Sequence, residues 1–317
     1  MEDFMLQTTL SHAFTCSGIG LHSGAPVSVT CAPAPANTGI FFNIATGQGA
    51  QRVTLSPSSV MATALATTIG NNRATLSTVE HLLAALRGMG VDNCEVRASG
   101  EIPILDGSAA LFADKIDQVG LIRLAAPRRV LRVTRPVELR SNGRHILAYP
   151  VNTPGAFRVN YFIDFPHPAI RQQQMSLDVT PFKFFRVAEA RTFGFLRDVE
   201  YLRSRGLAKG GSMDNAIVLD DEKVLNPEGL RSPDEFVRHK ILDFIGDMGM
   251  ARLPLQGNFT VSCSGHEFNN LFLRKLEAEH ALEEIALTES EQEILPRRSR
   301  GSRSAYAPQL EGAFALA

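Results

Sequence analysis

A histidine and an aspartate four residues apart form the strongest chemical signal in the sequence. His239 and Asp243 lie in the segment FVRHKILD at residues 236–243. The preceding SPDE, residues 232–235, predicts a helix start with a serine N-cap, a proline at the first position and a capping-box glutamate. In that helix the two side chains share one face, about 5–6 Å apart at Cβ, and could bind one Zn²⁺ together. From spacing alone, a hydrogen-bonded His–Asp pair on a helix surface is the commoner arrangement.

Asp247 continues the same helix face, eight residues after His239. The rise of an α-helix places it roughly 12 Å along the axis from His239, too far to share an ion with it easily. If a metal binds here, Asp243 is therefore the expected ligand.

A glutamate directly beside a histidine, Glu80-His81, forms the second signal. Ser77 and Glu80 also fit a capping box at a helix start, which explains Glu80 without chemistry. A metallohydrolase, however, needs a ligand and a neighbouring base: His81 would hold the ion while Glu80 takes a proton from water. Together with His239 and Asp243, His81 would supply three ligands and leave one position open, the pattern of catalytic zinc. The two predicted helices must then meet at one site.

The third candidate is His266, which follows Ser264-Gly265 and precedes a predicted helix. This position leaves the imidazole exposed enough to serve as an acid or a cation, although a histidine there is also a common turn residue. Four other histidines have no acidic or histidine partner at helical spacing, and we assign them no role: His12, His145, His167 and His280.

The elements that must position these residues fall into two halves. Strands are predicted at 26–30, 93–97, 130–133, 145–149 and 157–165. Helices are predicted at 78–86, at 106–119 with Asp106 as N-cap, at 234–250 and at 267–280. The polar, proline-bearing stretch 126–129 is the predicted linker. We therefore predict an α+β fold with domains at 1–125 and 126–295 rather than a wound βαβ sheet.

Composition indicates a globular protein and excludes several functional classes. Hydrophobic residues make up 44% and charged residues 21% of the 317 residues, and the net charge is −1, which gives no attraction to nucleic acid. No apolar run approaches the roughly 20 residues of a membrane helix, and the start is not that of a secretory signal. Four cysteines without C-x-x-C spacing argue against a disulfide framework. We expect a cytoplasmic protein with at most peripheral membrane contact and a flexible arginine-bearing tail at 296–317.

Seven segments, in order along nearly the whole chain, resemble the UDP-3-O-acyl-N-acetylglucosamine deacetylase family. They are SGIGLHSG (17–24), STVEHL (77–82), ILDGS (104–108), ARTFG (190–194), GGS (210–212), the stretch 236–247 and SGH (264–266). Each segment alone is weak, and their shared order makes the resemblance specific. It implies two domains of similar topology, each a sheet with a pair of helices, with the helices packed between the two sheets.

The resemblance also implies the roles of the candidate residues. His81, His239 and Asp243 match the family's zinc ligands, with one zinc per chain and Fe²⁺ as an alternative metal. Glu80 matches the general base that activates water. His266 matches the cation that stabilises the tetrahedral intermediate and protonates the leaving amine.

Further positions match residues that contact the substrate in the family. Thr192 matches a hydroxyl donor to the oxyanion, Phe193 an aromatic residue lining the sugar site, and Lys240 a lysine that helps to bind substrate through its phosphates. His22 falls in a loop near the active site and has a supporting role. Residues 195–220 match an insert that forms a passage for the acyl chain.

The implied function is removal of the N-acetyl group from UDP-3-O-acyl-N-acetylglucosamine, which releases acetate and UDP-3-O-acyl-glucosamine early in lipid A biosynthesis. We expect a monomer. Two alternatives stay open: a metal-dependent deacetylase of another sugar nucleotide, and a non-catalytic lipid or nucleotide binder on the same fold.

Overall fold

The computed structural model describes residues 5–288. These residues contain twenty strands and six α-helices. The predicted tail at 296–317 lies outside these residues. Within them the predicted α+β class is confirmed.

The first half contains two helices, α1 (Glu80–Gly88) and α2 (Ala110–Val119), and a 3-10 turn at Pro57–Ser59. Its strands are β1 (Leu6–Leu10), β2 (Phe14–Ile19), β3 (Pro26–Pro33), β4 (Ile40–Thr46), β5 (Gly49–Thr54), β6 (Val60–Ala62), β7 (Thr68–Asn71), β8 (Ala74–Ser77), β9 (Cys94–Ala98), β10 (Gly100–Glu101) and β11 (Leu121–Pro127).

The second half contains α3 (Pro181–Ala188), α4 (Leu196–Ser204), α5 (Glu235–Met248) and α6 (His266–Ala278). Its strands are β12 (Arg129–Val133), β13 (Val137–Ser141), β14 (Arg144–Tyr149), β15 (Phe157–Phe165), β16 (Arg171–Asp178), β17 (Phe193–Phe195), β18 (Ile217–Leu219), β19 (Leu255–Ser262) and β20 (Leu282–Ala286).

The two large sheets repeat one connectivity. The first has the order β2-β3-β9-β4-β5, in which only β4 and β9 run parallel. The second contains β13-β14-β19-β15-β16, and among these five strands only β15 and β19 pair in parallel. Strands β12 and β20 extend this sheet, and β12 also pairs with β19 in parallel. In each half one helix precedes the central strand (α1 or α5) and one follows it (α2 or α6). The halves therefore share a topology, as predicted, and their repeated strands fall on either side of residue 126.

Helices α1 and α5 pack against each other, and both are buried on nearly all sides. In α1 only Arg87 is not buried, and in α5 only Arg238 and Lys240 are not, which is typical of helices enclosed by other elements. One continuous cluster of buried apolar side chains joins both helices to both sheets. A Cβ at Gly246 would overlap the carbonyl oxygen of Glu80, so this glycine lets α5 approach the start of α1.

Both predicted capping boxes were wrong, although the helices begin close to the predicted positions. Ser77 ends β8, and α1 starts after Val79 without a side-chain cap. Likewise, α5 starts at Glu235 without a side-chain cap. The two glutamates that fitted the boxes instead make tertiary contacts: Glu80 accepts from the N–H of Thr67, and Glu235 binds Arg191.

One further local prediction was also wrong. Asp106 does not cap α2, whose N-cap position is Ala109, and its carboxylate accepts from the N–H and hydroxyl of Ser108. The predicted linker at 126–129 is extended, because β11 and β12 leave only Arg128 between them. Nε of Arg128 lies 3.0 Å from Asp92 Oδ1. At this point a single residue outside the strands therefore connects the two halves.

The segment at 195–220 is an addition to the second half without a counterpart in the first. Strands β17 and β18 pair in parallel, and α4 connects them. Across residues 5–288, none of the helices combines the length and hydrophobicity needed to span a bilayer.

Candidate active site

Three buried side chains from α1 and α5 converge where the two helices meet. Nε2 of His239 lies 3.3 Å from Oδ1 of Asp243, and Nε2 of His81 lies 3.6 Å from the same oxygen. The ligand atoms of all three residues lie within 4.8 Å of one another. Zinc bonds of about 2.0–2.2 Å in a tetrahedron place neighbouring ligand atoms about 3.3 Å apart. The group therefore has the dimensions of a metal site.

The protonation of this group also suits a divalent cation. Nδ1 of His239 lies 3.1 Å from the carbonyl oxygen of Ala190, which places the proton on Nδ1 and leaves the Nε2 lone pair facing Asp243. Burial lowers the pKa of His239 to about 3, so its imidazole is neutral.

Asp243 offers one oxygen that lacks a donor. Oδ2 accepts from Nζ of Lys240 at 2.6 Å, whereas Oδ1 is buried and has no hydrogen-bond partner within residues 5–288. Burial opposes ionisation, but the Lys240 ammonium beside Oδ2 helps to hold the pKa of Asp243 well below its usual range. An ionised, unpartnered oxygen between two imidazole nitrogens is what a bound cation would satisfy, so these residues fit a metal.

Glu80 lies beside His81 and has one oxygen directed into the site. Its Oε2 accepts the backbone N–H of Thr67 at 3.0 Å, and its Oε1 lies 4.0 Å from Nε2 of His266. Burial raises the pKa of Glu80, and the nearby His266 partly offsets this. A carboxylate with a raised pKa is the stronger proton acceptor.

The turn that leads into α1 is strained. Thr78 has φ = 61°, a left-handed conformation that is costly for a β-branched residue and is often found at functional sites. Its hydroxyl donates to Oε1 of Glu101 at 3.2 Å. This contact helps to hold the direction in which α1 begins, and hence the positions of Glu80 and His81.

His266, the first residue of α6, is held as a cation. Its Nδ1 lies 2.8 Å from Oδ2 of Asp247. Burial alone would lower the pKa of His266, but Asp247 outweighs burial and the pKa rises to about 10. Near neutral pH the imidazole is therefore protonated on both nitrogens, and the Nε2 proton on the Glu80 side can be donated.

A cavity of about 210 Å³ collects eight of the nine predicted site residues along its walls. They are Glu80, His81, Thr192, Phe193, His239, Lys240, Asp243 and His266. Thr192 precedes β17, and backbone hydrogen bonds to Gly107 at 2.8 Å and from Ile217 at 2.7 Å fix its main chain. The Phe193 ring packs edge-on against Phe236 with centroids 5.1 Å apart, and Nζ of Lys240 lies 5.8 Å from its centroid.

A buried ion pair joins the loop before Thr192 to α5. Arg191 and Glu235 are 2% and 0% exposed, and Glu235 Oε1 accepts from Nε of Arg191 at 3.0 Å and from its backbone N–H at 3.1 Å. Breaking such a buried pair costs about 3–5 kcal/mol. The pair therefore holds Thr192 in place relative to the helix that carries His239.

His22 lies outside the set of residues that line the cavity. Its backbone N–H donates to Oε1 of Glu101 at 2.7 Å, and its Nδ1 accepts from the N–H of Ala208 at 3.4 Å. The ring thus connects the turn after β2 to the segment at 195–220. The supporting role of His22 stays a prediction.

Sequence reasoning missed the residues that hold His266 and Glu80 in place. Asp247 was considered only as a metal ligand, whereas in the structure it binds His266. Asn269 also donates to Asp247 Oδ2, at 2.8 Å, and its position three residues after His266 on one helix face could have suggested a shared partner. No motif pointed to Thr67.

Comparison with known proteins identifies the family. The family model described as UDP-3-O-acyl N-acetylglycosamine deacetylase (LpxC) matches residues 7–278. The chain belongs to this family. The matched range covers most of both halves and includes every residue that lines the cavity. The predicted resemblance is confirmed.

Curated relatives named UDP-3-O-acyl-N-acetylglucosamine deacetylase align over most of their length. The protein of Nitratidesulfovibrio vulgaris is 55% identical over 291 residues, which cover 91% of this chain and 94% of the relative. That of Lawsonia intracellularis is 53% identical, covering 89% and 92% respectively. That of an Anaeromyxobacter species is 44% identical, covering 92% and 95%. As a member of this deacetylase family, the chain is an amidohydrolase with a candidate metal site between α1 and α5.

Proposed function

We propose that this protein is a zinc-dependent hydrolase of UDP-3-O-acyl-N-acetylglucosamine that releases acetate and UDP-3-O-acyl-glucosamine, an early committed step of lipid A biosynthesis. One observation carries the proposal. Oε1 of Glu80 and Nε2 of His266 face each other at 4.0 Å beside the group of His81, His239 and Asp243. The proposed base, the proposed acid and the three proposed metal ligands all line one cavity. The family and the names of the relatives supply the substrate.

His81, His239 and Asp243 would hold the zinc ion, with Fe²⁺ as the alternative. Three nitrogen and oxygen ligands that leave a further position open are typical of catalytic rather than structural zinc. When bound, the ion would polarise the amide carbonyl and lower the pKa of water toward about 7.

The side chains around this group account for the proton transfers. Glu80 accepts a proton through Oε1 as the water oxygen bonds to the amide carbon. Negative charge develops on the carbonyl oxygen, to which the Thr192 hydroxyl donates a hydrogen bond. As the C–N bond breaks, His266 gives its Nε2 proton to the nitrogen, because an amine leaves poorly unless it is protonated. The products are acetate and the free 2-amino sugar.

Substrate contacts are assigned from the cavity wall and the segment at 195–220. Phe193 would pack on the sugar, and Lys240, which is paired with Asp243 at 2.6 Å, would bind the phosphates. Leu196, Tyr201 and Met213 are 49%, 60% and 42% exposed. They offer apolar surface for the acyl chain.

Three proposals concern the molecule as a whole. We propose domains at 1–125 and 126–295, a monomeric state, and a cytoplasmic location with at most peripheral membrane contact. The repeated strand order on either side of residue 126 supports the division into domains. All three stay predictions.

A comparison of substrates with and without the 3-O-acyl chain tests the substrate assignment. With metal-loaded protein, we expect kcat/KM for acetate release from UDP-N-acetylglucosamine to be at least about 100-fold below that for the 3-O-acyl substrate. Burying even four methylenes at about 0.8 kcal/mol each accounts for such a factor. Equal rates would favour a deacetylase of another sugar nucleotide. Binding of the acylated substrate without release of acetate would favour a non-catalytic binder.

A further inference from the structure

Thr67 is a buried residue that contacts both sides of the candidate site. It is 2% exposed and lies between β6 and β7. Its backbone N–H donates to Oε2 of Glu80 at 3.0 Å, and its hydroxyl donates to Oδ1 of Asp247 at 2.6 Å. Its carbonyl oxygen accepts the N–H of Val79 at 3.2 Å, at the start of α1. All three of its polar groups are therefore used.

These contacts connect Glu80 and His266 through Thr67 and Asp247. Glu80 and Asp247 are both carboxylates and both 3% exposed. Thr67 lies between them as a neutral donor to each. Asp247 uses its other oxygen for Nδ1 of His266 at 2.8 Å, and Nε2 of His266 faces Glu80 at 4.0 Å. One residue thus fixes an oxygen of the base and an oxygen of the group that orients the acid.

We propose that Thr67 is a positioning residue that fixes the base Glu80 and the acid His266 in position relative to each other. The inference rests on the proposed function, in which these two side chains exchange protons with the substrate and water. Without the hydroxyl, Oδ1 of the buried Asp247 loses its donor, and the carboxylate is then held only through Oδ2, by His266 and Asn269. The carboxylate can then rotate about these contacts, and the imidazole bound to Oδ2 is held less firmly in its direction toward Glu80. Small misplacements of this kind lower the rate of the chemical step rather than substrate affinity.

Three variants separate positioning from a structural role. Thr67→Val removes the hydroxyl but keeps the shape and the backbone N–H that binds Glu80. Thr67→Ser keeps the hydroxyl and removes only a methyl group. Thr68→Val is the matched control, because the hydroxyl of Thr68 donates to Ser77 at 3.0 Å, and neither residue lines the cavity.

We expect Thr67→Val to lower kcat about 10- to 100-fold while KM changes less than about twofold. Thr67→Ser is expected to stay within about threefold of the parent kcat, and Thr68→Val to match the parent. The inference is overturned if Thr67→Val keeps the parent kcat, or if its lower kcat/KM comes from a higher KM instead. It is also overturned if the kcat of Thr67→Ser falls as far as that of Thr67→Val. Should the valine variant not fold, Thr67→Cys takes its place, because a thiol is only a weak donor.

A measurement that does not use activity distinguishes failure of this inference from failure of the proposed function. Absence of acetate release by the parent protein would contradict the function, but the Nδ1–H proton resonance of His266 can be recorded in either case. We expect this resonance to shift in Thr67→Val and to stay in place in Thr67→Ser and Thr68→Val. An unchanged resonance in Thr67→Val would overturn the positioning role.

Discussion

Replacing His239 with alanine is expected to weaken metal binding by more than about 100-fold and to abolish acetate release. His239 supplies one of the three candidate ligands found within residues 5–288, and its Nε2 lies 3.3 Å from Oδ1 of Asp243. Loss of residues that merely support metal ligands already costs about 10- to 100-fold in affinity, so loss of a ligand should cost more. Equilibrium dialysis against a zinc buffer, with metal analysis of the protein, measures the effect.

His12→Ala is the matched control, because His12 is exposed and lies outside the cavity. It should bind one zinc per chain with the affinity of the parent. An alanine variant at His239 that retained one tightly bound zinc would show that the metal site lies elsewhere.

Replacing Glu80 with glutamine is expected to lower kcat by about 10²- to 10⁴-fold, the range for loss of a general base. Glutamine keeps the shape of the side chain, and its oxygen can still accept from the N–H of Thr67, but it cannot take a proton from water. Because burial raises the pKa of Glu80, its ionised form is unfavourable in the folded, metal-free protein. The free energy of unfolding of the parent therefore falls as pH rises through the pKa of Glu80 in the folded protein. Glutamine does not ionise, so at neutral pH the metal-free variant should unfold at a temperature no lower than that of the parent.

Steady-state kinetics and thermal unfolding of the metal-free protein test both parts of this prediction. Glu138→Gln is a suitable control, since Glu138 lies on β13 at the surface and pairs with Arg140. A glutamine variant at position 80 that binds zinc and turns over at the parent rate would exclude Glu80 as the base.

Much of the site could be predicted because its motifs lie within regular elements. The prediction that His239 and Asp243 share one helix face required only that the segment be helical. The segment is helical in the structure, although α5 has no side-chain cap. The capping patterns failed because a glutamate near a helix start can equally bind a distant group. Glu235 does so with Arg191, 44 residues earlier in the chain.

Contacts between distant parts of the chain could not be predicted from the sequence. Thr67 and Asp247 are 180 residues apart, and no local pattern relates them. The meeting of α1 with α5 depends on Gly246, whose missing side chain matters only once Glu80 lies against it. The repeated strand order of the two halves has no short sequence repeat, because it depends on backbone pairing rather than on particular side chains.

The most direct test is acetate release from UDP-3-O-acyl-N-acetylglucosamine by the purified protein with zinc bound, after complete chelation, and after zinc is restored. We expect turnover with zinc, its loss on chelation, and its recovery when about one equivalent of zinc per chain is returned. Full turnover after metal analysis has shown the protein to be metal-free would contradict the assignment of His81, His239 and Asp243. No acetate release by folded, zinc-loaded protein would contradict the proposed reaction itself.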